Sequence, residues 1–486
     1  MSVPRELRTD LTEDGGGQSM RVETRTVQPL SGWKGSSQGR IEFQLPRQGI
    51  LDRSSYLKFQ VKGADVHQRL PLWAGALSMI ETATLRIGGV EIQTRRGFGH
   101  LSTAKQFYRT PHDRNARQSK RVGCFSGLMV DSTAAALVRP GHWGVDTGQG
   151  WCSSTGVDSR RISDGFALTN VEGTTPEWII DLAQLFPILF SNSLPLGLLD
   201  QHINIVLELS EDLVRGQRAC PLQGQAWAAG TNVIEPSLHL DLIFFDDPIG
   251  EVTTMEKLAD ELEKGERLVF TDDVYVRYNQ IAGTPAATTE ILNKISIGVD
   301  NQVMRSVLIS TPNAIDYSAP ATQGNDLLGQ YFSTGSHVQN SLQMTVNNNP
   351  VYPSPVTRDS ELWSEMSQVM PTKFKVNPAI YSFFGQTDTV TPFAVNVRLN
   401  RLTDKTLLGH AQTVEVGCAH YYGINMSKPG YQNVVGSGTA VGRNPVTLEI
   451  GDTRVPSALV AKLIHVWVTC ERLLSIVGGK VMVSGS

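Results

Sequence analysis

Short runs in which apolar and polar residues alternate recur along the whole chain, and a chain built from such runs must pair strands and bury one face of each. Leu57, Phe59 and Val61 share one face of YLKFQVK, with Tyr56, Lys58 and Gln60 on the other. Ile203, Ile205, Leu207 and Leu209 repeat the habit, as do Leu238, Leu240, Leu242 and Phe244. The second half continues it with Val274, Val276 and Tyr278; Phe393, Val395, Val397 and Leu399; Val446, Leu448 and Ile450; and Val466, Val468 and Cys470. In TATLRIGGVEIQT, Leu85 and Ile87 precede Gly88-Gly89, and Val90 and Ile92 follow. Paired glycines accept the positive φ of a tight hairpin turn, so a hairpin is expected there, and Gly478-Gly479 predicts another. Many short strands joined by Gly/Pro-rich loops indicate β-sandwiches rather than alternating strands and helices. The fold class is all-β.

One helix interrupts this pattern near the midpoint. In EVTTMEKLADELEKGERL, Thr253 and Glu256 have the spacing of a capping box. Met255, Leu258 and Leu262 line one face, and Gly265 ends the helix in a left-handed conformation. The chain therefore divides into a flexible N-terminal arm (1–39), a first sandwich (40–247), a helical connector (248–270) and a second sandwich (271–486). The arm reading rests on polar, mixed-charge sequence interrupted by Gly15-Gly16-Gly17 and by Ser/Gly around 35–39. LRIGGVEIQTR and ISIGVDNQVMRS share a loose pattern, as though the halves echo each other.

Charge and composition exclude several classes. With 43 Lys+Arg against 47 Asp+Glu, the net charge of −4 gives no electrostatic footprint for a dedicated nucleic-acid binder. An apolar fraction of 40% argues against general disorder, and no run of about 18 apolar residues suggests a transmembrane helix. The first residues, MSVPRELRTDLTEDGGG, lack the apolar centre of a signal peptide, which predicts synthesis and retention in the cytosol. Cys124, Cys152, Cys220, Cys418 and Cys470 are odd in number, widely spaced and without a C-x-x-C pair, so buried free thiols are expected. The His residues supply no zinc ligands at suitable spacing. The N-M-S sequon at Asn425 is a chance match in a chain with no secretory signal.

Candidate chemistry is thin. Gly35-Ser36-Ser37-Gln38-Gly39 fits G-x-S-x-G, but that nucleophile turn needs a buried strand before it and a helix after it, and here it lies in a polar loop. The glycines at 436, 438 and 442 depart from phosphate-loop spacing and no Lys-Ser/Thr follows, so a flexible loop is expected. Asp246/Asp247 and Asp272/Asp273 could share a metal or do acid–base work, but beside Pro248 and Thr271 they read as strand terminators and turn caps. The one basic cluster comprises Arg109, His112, Arg114, Arg117, Lys120 and Arg121. With no aromatic beyond Tyr108 it makes no stacking platform for nucleic acid. It is either a solvated face or a subunit-contact surface, the latter through Arg109, Arg114, Arg117, Lys120 and Arg121. No catalytic, cofactor-binding or metal-ligating residue is assigned.

Four stretches resemble the double jelly-roll major capsid proteins of nucleocytoplasmic large DNA viruses, virophages and Polinton-like viruses, with adenovirus hexon and tectivirus coats as distant relatives. They are MIETATLRIGGVEIQT, DLAQLFPILFSNSLPLGLLDQHINIVLEL, the junction LIFFDDPIGEVTTMEKLADELEKGERLVFTDDVYVRY with its Glu266-Arg267 step, and the tail HVWVTCERLLSIVGGKVMVSGS. The likeness runs from about residue 40 to the end, while the loops at 109–175 and 311–371 depart from the family pattern. The resemblance implies two tandem eight-stranded jelly rolls joined by a short helical connector, and a structural, non-enzymatic protein of the virion. It implies homotrimers that form pseudo-hexagonal capsomers and tile an icosahedral shell, contacting neighbouring capsomers and minor capsid or penton proteins. Long end loops would then interlock into an outer tower, and the arm would order on meeting a neighbour. Neither a cofactor nor sequence-specific nucleic-acid binding is implied. A minor capsid or penton subunit is the first alternative, against which the second half counts. A tandem carbohydrate-binding protein or glycosidase is the other, against which the scattering of the eight Trp residues counts.

Overall fold

The structure, a computed structural model, describes residues 20–30, 39–62, 69–70, 75–107, 121, 166–167, 177–209, 232–247, 252–279, 291–310, 339–357, 361, 365, 368–369, 421–427, 438–443, 445–452 and 463–485. The first half supplies strands β1 (Met20–Val27), β2 (Arg40–Leu45), β3 (Tyr56–Lys62), β4 (Ile80–Ile87), β5 (Val90–Arg96), β6 (Glu177–Asp181), β7 (Ile203–Leu209) and β8 (Asn232–Phe245). The second supplies β9 (Leu268–Asn279), β10 (Ile291–Ile297), β11 (Val303–Ser310), β12 (Gln339–Val346), β13 (Asn349–Pro350), β14 (Tyr421–Asn425), β15 (Val446–Asp452) and β16 (Leu463–Val477), followed by β17 (Lys480–Gly485). Helix α1 (Phe98–Phe107) follows β5, and α2 (Thr254–Glu263) joins the halves.

Sheet order defines the architecture. The first half forms antiparallel sheets β1-β8-β3-β6 and β2-β7-β4-β5; the second forms β9-β16-β11-β14 and β10-β15-β12-β13. Adding eight to each strand number of the first pair gives the second pair. Each half is thus an eight-stranded jelly roll in which consecutive strands alternate between two facing sheets, except for its fourth and fifth strands, which pair with each other. Two-residue strands extend the sheets at Ile50–Leu51 and Thr439–Ala440, the latter pairing with β11. Thr439–Ala440 lies within the stretch expected to be a flexible glycine loop, and the ladder partner corrects that expectation locally.

The alternation places its residues as expected. Leu57, Phe59, Val61, Ile203, Ile205, Leu207, Leu238, Leu240 and Leu242 are buried in the first core, while Val446, Leu448, Ile450, Val466, Val468 and Cys470 are buried in the second. Phe393–Leu399 lies outside the described residues. Gly88 and Gly89 have φ of +58° and +86°, and Gly478 and Gly479 of +54° and +71°, so both hairpins turn where paired glycines remove the steric cost. The capping box of α2 is formed: Glu256 N–H donates to Thr253 Oγ1 (3.2 Å) and Thr253 N–H to Glu256 Oε2 (2.8 Å). Gly265, at φ +103°, closes the helix.

Three expectations are corrected. Residues 20–27, assigned to the arm, form the edge strand β1, paired with β8 from Met20↔Phe245 to Val27↔Leu238. The pairing puts Arg21, Glu23 and Arg25 on the face shared with Leu240 and Leu242, where they link as ion pairs (3.4 and 3.0 Å) and the two arginines lie over the Phe244 ring. Inward charge protects an edge from rogue pairing and erases the apolar period that would reveal a strand. The echo of LRIGGVEIQTR in ISIGVDNQVMRS is not a structural repeat: the first is the β4–β5 hairpin, whereas the second is the passage from β10 to β11. Residues 247 and 271 do not bound the packing. Leu258, Leu262, Leu268, Phe270, Leu474, Ile476 and Val481 all belong to the first core.

The C-terminal hairpin therefore completes the first sandwich from the far end of the chain. Leu474→Ala is expected to lower stability by about 2–5 kcal/mol, since it empties a fully buried site. Met482→Ala, on the exposed side of the same hairpin, should stay within about 0.5 kcal/mol. Urea unfolding midpoints of the two variants check the contrast; equal midpoints would mean that the hairpin does not hold the core.

Candidate functional site

The place where the two sandwiches meet concentrates the buried charge of the described residues. Strands β9 and β16 pair over twelve positions, Leu268↔Leu474 to Asn279↔Leu463, and run out of the second core into the first. Asp272 and Asp273 lie in the middle of β9, not at a strand end, and are 5% and 6% exposed. This corrects their reading as terminators. Adjacent strand residues point to opposite faces, so the carboxylates do not converge as a metal or acid–base pair would. Asp272 faces the interior beside Cys470 and pairs with Arg472 at 3.2 Å, dividing the two cores. Asp273 faces outward, where Thr469 Oγ1 donates to it (2.7 Å), Arg95 of β5 forms an ion pair (3.0 Å) and Lys105 of α1 approaches to 3.9 Å.

Around this pair the first sandwich covers the outer face of β9 and β16. The His100 ring of α1 stacks on His465 (centroids 4.3 Å), and Tyr275 Oη lies 2.7 Å from His465 Nδ1. Trp467 Nε1 donates to the Arg96 carbonyl (3.0 Å), and Gln93 Nε2 to the Thr271 carbonyl (2.8 Å). Gly97, at φ +61°, carries the closest approach. A Cβ there would sit 3.1 Å from the Tyr275 ring and 3.2 Å from the Trp467 ring. On the same face the fully buried Glu471 accepts from Arg305 Nε at 2.5 Å.

Burial pushes the Asp272 carboxyl up to about 6, against the pull of Arg472. Burial acts on Asp273 in the same sense, but Arg95, Lys105 and Thr469 outweigh it and hold that carboxyl below the usual range. Burial next to these carboxylates raises the Cys470 thiol to about 12, which leaves it unreactive at neutral pH. Asp247, of the other acidic pair, accepts from Thr254 N–H (3.0 Å) and anchors the start of α2, as a cap reading requires.

Of the basic cluster only Arg121 is described. It is spent inside the chain as a forked pair on Asp181, with Nη1 donating to Oδ2 at 3.0 Å. Arg109, His112, Arg114, Arg117 and Lys120 lie outside the described residues, as does Ser37. An open groove of about 500 Å³ between β1 and β2 is lined by Arg25, Leu30, Arg47 and His202 among others. Its polar groups bond within the chain: Arg25 to Gln48, Arg47 to the Asp200 carbonyl and Gln44 to His202. The sequon residue Asn425 is likewise in use, accepting from Ser427 N–H and bonded to Gln368. Sequence reasoning did not find Arg95, His100, Arg305 or Glu471. The one signal was Glu471-Arg472 inside an otherwise apolar strand, since charge there must be paired.

Known structures place this arrangement. A capsid chain of the PBCV-1 virus aligns over 98% of this chain and 99% of its own, with a TM-score of 0.56 and 12% identity. The fold is the double jelly roll of viral major capsid proteins. A chain of the Sputnik virophage aligns over 100% and 92% (TM-score 0.55, 14% identity), and the mavirus major capsid protein over 95% and 90% (0.51, 11%). No protein-family model and no curated protein matches the chain. Within this double jelly roll the buried ionic junction fixes how one roll sits on the other.

Two outcomes follow for the junction. Asp273→Ala leaves Arg95 without its counter-charge and should cost about 3–5 kcal/mol, read as a lowered urea midpoint. Asp272 binds its proton below about pH 6 when folded and below 3.8 when unfolded, so its contribution to stability falls as pH rises between those values. Asp273, held low, works in the opposite sense and loses its contribution as pH drops through the folded value. Asp272→Asn should therefore remove a falling limb between pH 4 and 6 from the curve of midpoint against pH. Parallel curves for variant and wild type would rule out the raised carboxyl.

Proposed function

We propose that this protein is a major capsid protein that acts mechanically: three copies form a pseudo-hexagonal capsomer, and capsomers tile an icosahedral virion shell. The observation that carries the reading is the repeated sheet order, eight strands twice, in a chain aligned over nearly its whole length with a chain of the PBCV-1 capsid, a chain of the Sputnik virophage and the mavirus major capsid protein. Two similar wedges per chain give six per trimer, so a threefold particle presents six similar edges to its neighbours. A rigid junction suits this role, because a tile packs only if the angle between its wedges is constant. Minor capsid and penton proteins are the partners such a tile would meet, and the chain would carry out no reaction.

A single-roll penton does not need the second sandwich. A carbohydrate-binding reading needs aromatics displayed on a groove, and the two described tryptophans, Trp178 and Trp467, are 2% and 1% exposed. Light scattering of the purified chain should give roughly 160 kDa, three chains of 53.1 kDa, with a pseudo-hexagonal outline in negative stain. A species that stays monomeric at high concentration and binds glycans on an array would transfer the assignment to the carbohydrate-binding alternative.

A further inference from the structure

Beside the ion pairs of the junction, the two rolls touch through a pair of histidines. His100 comes from α1 of the first roll and His465 from β16 of the second. Their rings stack with centroids 4.3 Å apart and planes 23° apart, and they are 0% and 1% exposed. His465 also stacks on Trp467 (5.6 Å, 9°) and on Tyr275 (5.8 Å, 24°). Gly97, at φ +61°, brings the start of α1 against the same two rings. Two phenylalanines would fill such a seat without any group that changes charge. Imidazoles add a proton site to the surface that holds one roll on the other.

We infer that the His100–His465 stack is an acid-sensitive latch within the chain, closed while both rings are neutral and opened when acid charges the pair. Histidine is the side chain whose ordinary charge change falls between about pH 5 and 8, so the latch responds to mild acid rather than to denaturing conditions. It stands on contacts inside one chain. Only its consequence for a shell, release of the fixed angle between wedges in an acidic compartment, rests on the capsomer reading.

The surroundings set the sign. Among the described residues, the cations around the pair are Lys105 of α1, Arg95 of β5 and Arg277 of β9, the last opposite His465 in the ladder. The acid among them is Asp273 of β9, already engaged by Arg95, Lys105 and Thr469. Glu471 of β16 and Arg305 of β11 lie farther along the covered face and pair with each other. Tyr275 Oη lies 2.7 Å from His465 Nδ1 and meets it in either tautomer. The local balance is positive and opposes an added proton. The faces of Trp467 and Tyr275 can offset one imidazolium. A second sets like charges 4.3 Å apart in a site closed to water, where repulsion is screened least. Opening hydrates both rings, so the open form takes up protons that the closed form excludes, and the latch weakens as pH falls. Asp272 works in the opposite sense, since its contribution to stability grows as pH falls.

Amide hydrogen exchange of the full chain, read by mass spectrometry and corrected for the intrinsic pH dependence of exchange, tests the latch. Between about pH 7.5 and about pH 5.5, protection of segments 95–105 and 463–469 should fall at least about tenfold, the change that one excluded proton gives per pH unit. The β4–β5 hairpin, away from the stack, should keep its protection. His100→Phe keeps a ring in the stack and removes one proton site, so its loss should stay under about threefold. Exchange at the imidazole C2–H positions of the wild-type chain follows each ring without a variant. His100 and His465 should titrate together, at the pH where the two segments lose protection, with the exposed His202 as the reference ring. Unchanged protection in the wild type, a loss of wild-type size in His100→Phe, or rings that titrate while the segments stay protected overturns the latch and leaves the capsomer reading standing. Acid opening in a chain that light scattering finds monomeric at every concentration keeps the latch and removes the capsomer reading.

Discussion

Strand β16 leaves the second core, passes the Asp272–Arg472 pair and enters the first core without a break, and the relation between the two sandwiches depends on that passage. Its partner β9 makes the same crossing, so a twelve-position ladder spans the junction. Hydrogen bonding alone would let such a ladder slip by two residues, keeping every side chain on its own face. The buried charges prevent this. Asp273 reaches Arg95 and Lys105, and Asp272 reaches Arg472, in only one register. A slip would leave charges unpaired in a low-dielectric interior, where each costs several kcal/mol.

An apolar septum could be as stable as this ionic one, since desolvating ions offsets much of their attraction. What charge adds at the junction is directionality. The guanidinium of Arg95 and the stacked rings of His100, His465, Tyr275 and Trp467 give the first roll a keyed seat on the second, and Gly97 lets the backbones come close enough to use it. In a proposed tile, edge contacts have to sum over many copies, and a small error in the angle within each copy would accumulate across a facet. The chain thus places its most expensive interactions at the hinge line, while the sheet faces and loops use ordinary apolar burial and ladders.

Much of the fold was legible from period two, because a strand with one buried face must alternate. Leu57, Phe59, Val61, Leu238, Leu240 and Leu242 read correctly for that reason, and the paired glycines marked both hairpins. Strand β1 was not legible because Arg21, Glu23 and Arg25 occupy the positions that alternation would fill with apolar residues. The junction was half legible. An Asp-Asp step inside an apolar run reads locally as a strand end, since a carboxylate in mid-strand makes sense only once its arginine is known. That arginine, Arg95, lies far away in sequence, and no local rule connects them. The same limit hid the membership of Leu474 and Ile476 in the first core, because periodicity identifies a buried face without saying which sheet it meets.

The C-terminal hairpin also sets a condition on synthesis. The first sandwich leaves the ribosome long before β16 and β17, yet Leu474, Ile476 and Val481 belong to its core, and Trp467 bonds to Arg96 across 371 positions. Until those strands emerge, the nascent first roll carries an unfilled apolar flank, a state that favours chaperone retention over release. Chains broken off before residue 463 would keep that flank open. The fold thereby makes closure of the first core depend on translation through Val481.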